Sequence, residues 1–155
     1  MSAYLSRTNS GAGNRRTMTW SFWVKFNRGD NASHGSSEEA IQFYGDAQSG
    51  YPSHRIAFHS GKAFFYSADD APQNGKVAME SGDIRFRDPS AWYHFVYMLD
   101  TTAGSAATRQ RVWVNGIEAD VNGNGGWVQT DAGQNKDTDH NGTETEYIGK
   151  YHTGS

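Results

Sequence analysis

Hydrolysis of a glycosidic bond needs two carboxyl groups about 5 to 10 Å apart, and a strand presents them together when they alternate along it. The chain offers Glu38 and Glu39, adjacent in a polar stretch, and Glu144 and Glu146, spaced by two among threonines with no third acid nearby. No Arg, Gln, His and Tyr array of the kind a polysaccharide lyase uses is recognisable, so no catalytic residue is assigned and a non-enzymatic protein is expected. The chain has six His and no Cys, which removes disulfides, thiolate metal sites and thiol nucleophiles. The histidines show no His-Glu-x-x-His spacing. His94 falls in an apolar strand, where a structural duty with a satisfied ring nitrogen is expected. His54, His59 and His140 flank turns and read as solvated.

Hard cations take oxygen ligands from loops, and Asp131, Asp137, Asp139 and Asn141 crowd one polar stretch. They are the candidate calcium ligands, set against the plainer reading of a solvated acidic loop. Asp100 would join Asp131 only if the fold brings them together. Sugar rings stack on aromatic faces, and the candidate ligand-binding residues are Trp127, Trp23, Trp113 and Tyr51. Trp127 follows the run Gly-Asn-Gly-Gly and is expected on a loop; for each Trp, burial in a core is the competing expectation.

The elements that must position these residues are strands. At 155 residues, a single domain over 1–155 is expected. Eighteen Gly, with many Asn, Ser, Thr and Asp, suit short turns, while 14% aromatic residues supply a core from few side chains. Fourteen basic against seventeen acidic residues give a net charge of -3, which advertises neither nucleic acid nor an anionic membrane. No apolar run reaches the roughly 20 residues of a membrane helix, and the opening residues lack a signal-peptide layout. A soluble, unprocessed chain is expected.

From Thr17 to Phe26, residues Met18, Trp20, Phe22, Val24 and Phe26 alternate, giving a strand one apolar face. Trp23 interrupts the other face. Asn27 to Glu39 reads as a surface loop, Ile41 to Tyr44 as a short apolar run, and residues 54–68 as a hairpin turning at Ser60-Gly61. In that hairpin Ile56 and Phe58 share one face, and Phe64 and Tyr66 share a face of the returning strand. A short strand is expected around Ile84 to Phe86. Ala91 to Asp100 is nearly all apolar, implying a central strand covered on both faces. Asn115-Gly116 suits a type I′ turn after Arg109 to Asn115. A long polar loop precedes a last strand at Tyr147-Ile148-Gly149. About ten short strands without an amphipathic helix describe an all-β, antiparallel two-sheet sandwich of jelly-roll type.

Several motifs follow one another in a familiar order: Tyr4-Leu5-Ser6-Arg7-Thr8, Arg15-Arg16-Thr17, Trp20 to Lys25, Phe86 to His94, Asp100-Thr101-Thr102, Arg111 to Gly116 and Tyr147-Ile148-Gly149. From Tyr4 to Gly149 the chain resembles the laminin-G-like (concanavalin A-like) jelly-roll domains of phage tail-fibre and virion structural proteins. That resemblance implies a non-enzymatic virion module that adheres to host-surface glycans. Its partners would be those glycans and neighbouring virion subunits, in a homo-oligomer or larger assembly. It also implies a rim calcium. Such domains carry a further strand that returns beside the first, whereas this chain stops at Ser155. An open edge near the first strand is therefore expected, the polypeptide being either a fragment or completed by a neighbouring subunit.

Overall fold

The two-residue period of Thr17 to Val24 becomes a strand because it separates side chains by face. Met18, Trp20 and Phe22 turn inward and are half-buried, Val24 is buried, and Thr17, Thr19, Ser21 and Trp23 are exposed. The computed structural model describes residues 4–25, 39–45, 54–59, 61–67, 77–121, 126–131 and 133–149, with backbone alone for 39–45 and 59. Its elements are β1 (Leu5–Thr8), β2 (Thr17–Val24), β3 (Glu39–Gly45), β4 (His54–His59), β5 (Lys62–Ser67), β6 (Val77–Glu80), β7 (Tyr93–Asp100), α1 (Ala106–Arg109), β8 (Gln110–Val114), β9 (Ile117–Glu118), β10 (Val128–Thr130) and β11 (Thr145–Ile148).

The protein is an all-β sandwich of two antiparallel sheets. One has seven strands in the order β1-β11-β3-β4-β5-β6-β10 and the other four in the order β2-β7-β8-β9. The sheets meet through aromatic rings. Phe22 stacks on Phe95 of its own sheet at 5.7 Å and touches Phe58 and Phe65 of the other at 6.2 and 6.4 Å. Phe65 also lies flat against Tyr97 at 4.6 Å. Phe58, Phe65 and Phe95, buried almost completely, each contribute about 2 to 3 kcal/mol. A polar tie crosses the same core: the Tyr97 hydroxyl donates to Gln110 Oε1 (2.9 Å), and Gln110 Nε2 donates to the Thr130 carbonyl (2.8 Å). Burial without a charged partner drives the Tyr97 phenol pKa far up.

The turns follow their residues. Asn115 (φ 51°) and Gly116 (φ 81°) both take positive φ, the type I′ geometry that joins β8 to β9. β4 and β5 pair antiparallel as the expected hairpin, with Ile56 opposite Phe65 and Phe58 opposite Ala63, all four buried. Phe64 and Tyr66 share the outer face, stacked at 6.0 Å beneath Arg55.

Three expectations are corrected, and one short helical turn is added to them. Residues 84–86 form no strand; the strand is β6, and Phe86 is instead a buried plug whose N–H donates to the Gly61 carbonyl at 2.8 Å. β7 is central in its sheet but only Phe95, Tyr97 and Leu99 are fully buried, so one face meets the core while His94, Val96 and Met98 line a half-exposed one. One helical turn, α1, precedes β8, and β11 begins earlier than expected, at Thr145. The expected loop at Asn27 to Glu39 lies almost wholly outside the described residues. Among the described residues no helix is long and apolar enough to cross a membrane.

Candidate functional site

β2 and β7 run side by side without a register shift, from Thr17 opposite Asp100 to Val24 opposite Tyr93. Side chains directly opposite share a face. Trp23 therefore meets His94 on the outer face of the four-stranded sheet, the rings stacked at 4.8 Å and 22°. His94 is held from two sides, its Nε2 sharing a hydrogen bond with Ser21 Oγ (3.0 Å) and its backbone N–H donating to Asn115 Oδ1 (2.8 Å). Trp23 is nevertheless 64% exposed. No crossing loop covers it among the described residues, and its indole is a rigid apolar face presented to solvent.

The next row across that face is Ser21, Val96, Trp113 and Glu118. Trp113 is half-buried, with the Arg111 guanidinium 5.1 Å from its ring, and Arg111 forks onto Glu118 through two bonds of 2.6 Å. That fork lowers the Glu118 carboxyl and raises the Arg111 guanidinium, although both sit in solvent where a pair contributes little to stability. Two strand spacings and two residues separate Trp23 from Trp113, about 12 Å between backbones. The face thus combines two indoles, an imidazole, a hydroxyl, a guanidinium and a carboxylate.

Trp127 is corrected outright. It is 1% exposed, its ring packs on Phe65 (centroids 6.0 Å apart) and Phe86 (6.4 Å), and its backbone N–H donates to the Asp120 carbonyl at 2.8 Å. The glycine before it permits close backbone approach instead of a mobile platform: a Cβ on Gly126 would strike the Asp120 carbonyl oxygen. An indole sealed in the core has no face for a ligand. Tyr51 lies outside the described residues.

The calcium candidates do not converge. Asp131 pairs with Arg109, which also donates to the Ala103 and Gly104 carbonyls. Asp137 pairs with Arg16 at 2.6 Å, which lowers its carboxyl, and Asp139 pairs with Arg15 at 3.2 Å. Asn141 donates to the Asn14 carbonyl (2.9 Å), while Asp100 accepts from the N–H and hydroxyl of Thr102 and does not join Asp131. Among the described residues no three His, Asp or Glu side chains form a group that could hold a metal ion. The acids are arginine partners that pin the 131–141 segment to the sandwich.

One cluster escaped the sequence reading. His54 and His140, expected in solvent, are 1% and 3% exposed, with ring centroids 4.5 Å apart. Burial pushes His54 down to about 4, and burial together with the His54 charge pushes His140 well below its ordinary value. Glu146, 3.9 Å from His54 Nε2, is raised by burial. Beside Glu146 a cleft of about 340 Å³ opens between the sheets, lined by Leu5, Arg7, Trp20, Asn141 and Ile148 among others. The alternation at 54–58 was the one available signal: His54, Ile56 and Phe58 share an inward face. No known family model matches the chain, and no curated protein sequence matches it.

Proposed function

We propose that this chain is a non-enzymatic, lectin-like adhesion module that binds surface glycans through the outer face of its four-stranded sheet. The carrying observation is Trp23, 64% exposed yet held flat by His94, on a face it shares with Trp113. Exposed aromatic faces stack on the C–H faces of sugars, while Ser21, Arg111 and Glu118 supply hydroxyl partners. The jelly-roll topology and placement in a phage tail fibre or virion belong to the same proposal and rest on the motif resemblance. Function would then come from multivalent display: single contacts of about millimolar strength gain orders of magnitude when several copies engage together.

The test is binding of the folded protein to a panel of bacterial and algal surface glycans, displayed multivalently. Trp23→Ala should weaken any binding by about tenfold or more, and Trp113→Ala by less. Binding should survive chelation of calcium, because arginines already occupy the loop acids. Silence across the panel would favour a second reading, a purely architectural subunit, for which the observation is β2 at the end of its sheet among the described residues.

A further inference from the structure

In an Asn-Gly dipeptide the main-chain nitrogen of the glycine can attack the side-chain amide before it, because no Cβ blocks the approach. The pair occurs five times in the chain, and those starting at Asn74, Asn122 and Asn124 lie outside the described residues. The other two, Asn115-Gly116 and Asn141-Gly142, share a left-handed asparagine, at φ 51° and 56°. Their surroundings differ. Gly142 is buried, its N–H donates to the Asp139 carbonyl (3.2 Å), and its carbonyl accepts from Asn9 Nδ2 (3.1 Å). Asn141 is tied on both sides, through Nδ2 to the Asn14 carbonyl (2.9 Å) and through its own carbonyl to the Gly13 N–H (2.8 Å). Gly116 is exposed, its nitrogen has no hydrogen-bond acceptor among the described residues, and a Cβ placed on it would meet nothing within 4 Å. The Asn115 side chain is held through Oδ1, which accepts from the His94 N–H at 2.8 Å, while Nδ2 has no partner among the described residues.

We propose that Asn115-Gly116 is a deamidation site, at which the folded protein converts its own asparagine to aspartyl and isoaspartyl products. The Gly116 nitrogen gives up its proton and bonds to Asn115 Cγ, the Cγ–Nδ2 bond breaks, and Nδ2 leaves as ammonia, closing a cyclic imide. Water then adds to either imide carbonyl. Opening at Cγ gives an aspartyl residue, and opening at the main-chain carbonyl gives an isoaspartyl residue, whose chain runs on through Cβ and Cγ. The His94 N–H already points at the oxygen on which negative charge develops during the attack. Ring closure needs the turn to rotate, which costs little here, because β9 beyond it has two residues, both exposed. The product lands beside Trp23. Asn115 and His94 exchange two bonds of 2.8 Å, N–H to carbonyl and N–H to Oδ1, and His94 is the ring behind that indole. An isoaspartyl residue adds a carbon to a two-residue turn, breaks the exchange and sets a carboxylate there. On the glycan reading, on which this last consequence rests, ageing would therefore weaken the face.

Peptide mapping by mass spectrometry of the folded protein, kept for weeks at mildly alkaline pH, tests the chemistry without any ligand. Conversion at Asn115 should run at least about tenfold faster than at Asn141, whose glycine N–H must first leave its acceptor. Asn115→Asp supplies the reference for the aspartyl product, and the isoaspartyl peptide elutes apart from it. In urea the two rates should converge, since the fold that separates them is gone. Equal rates in the folded protein, an unreactive Asn115, or a ratio that survives urea would each overturn the proposal. Binding to any panel glycan that the fresh protein holds should fall in step with conversion. Conversion without that fall would overturn the link to Trp23, and silence of the whole panel would overturn the glycan reading while mapping still decides the deamidation site.

Discussion

His54 and His140 are the residues whose chemistry depends most on their surroundings. Both are neutral because the interior disfavours their charged forms. In the unfolded chain each takes a proton near pH 6.5, while the folded His54 takes one only near pH 4. Below pH 6.5 the unfolded state therefore binds more protons, so stability is complete above that pH and is lost as pH falls toward about 4. For His54 the loss is about 3 kcal/mol. Glu146, raised by burial, acts in the opposite sense, since its folded form binds a proton more readily than its unfolded form. The urea midpoint should fall between pH 7 and pH 5, and His54→Phe should flatten that fall. An unchanged slope in the variant would assign the acid sensitivity elsewhere.

At the scale of elements, the connection into β10 shows how a glycine-rich stretch can be structural. Gly126 lies against the Asp120 carbonyl and a Cβ on Gly82 would meet the Gly126 carbonyl, so residues 82, 120 and 126 pack backbone to backbone. That contact seats Trp127 beneath Phe65 and Phe86. Gly126→Ala should cost about 1 to 3 kcal/mol by forcing these segments apart, and Trp127→Ala about 3 to 5 kcal/mol through the cavity it leaves. Chemical denaturation checks both, and with an intact Trp23 face neither folded variant should lose whatever glycan affinity the proposed face confers. Loss of affinity in folded Trp127→Ala would count against the Trp23 proposal.

For the whole molecule, the decisive feature is how far apart in sequence its contacts are. β1 pairs with β11, Leu5 opposite Ile148 and Thr8 opposite Thr145, so the two ends of the described chain meet in one sheet. Such pairings repay loop closure only late in folding. Refolding should therefore take milliseconds to seconds and slow little when β1 is weakened by Leu5→Gly, since that edge joins after the core; stopped-flow Trp fluorescence reads this directly. A strong slowing would place β1 in the nucleus. The same long-range closure brings Leu5 and Ile148 to the cleft that Trp20 of β2 also lines.

Alternation in Thr17 to Val24, the Asn115-Gly116 turn and the β4–β5 hairpin were legible because period and turn chemistry are local, and they suffice for an all-β sandwich. Trp23 and Trp113 were legible as aromatic candidates by type alone. What sequence could not supply was neighbourhood. Trp127 looked like a loop residue because a glycine run signals a turn and a close backbone contact in the same letters. The aspartates of residues 131–139 looked like a cation site because their arginine partners lie far away along the chain, Arg15 and Arg16 near its start and Arg109 before β8. His54 and His140 looked solvated because burial belongs to the contact between β4 and a segment more than eighty residues later. The chain's own pattern determined strands, turns and faces, since those depend on residues a few positions apart. Tertiary packing decided which aromatic stays in solvent, which histidines are buried and which charges are paired, since those depend on residues that only the folded sheets bring together.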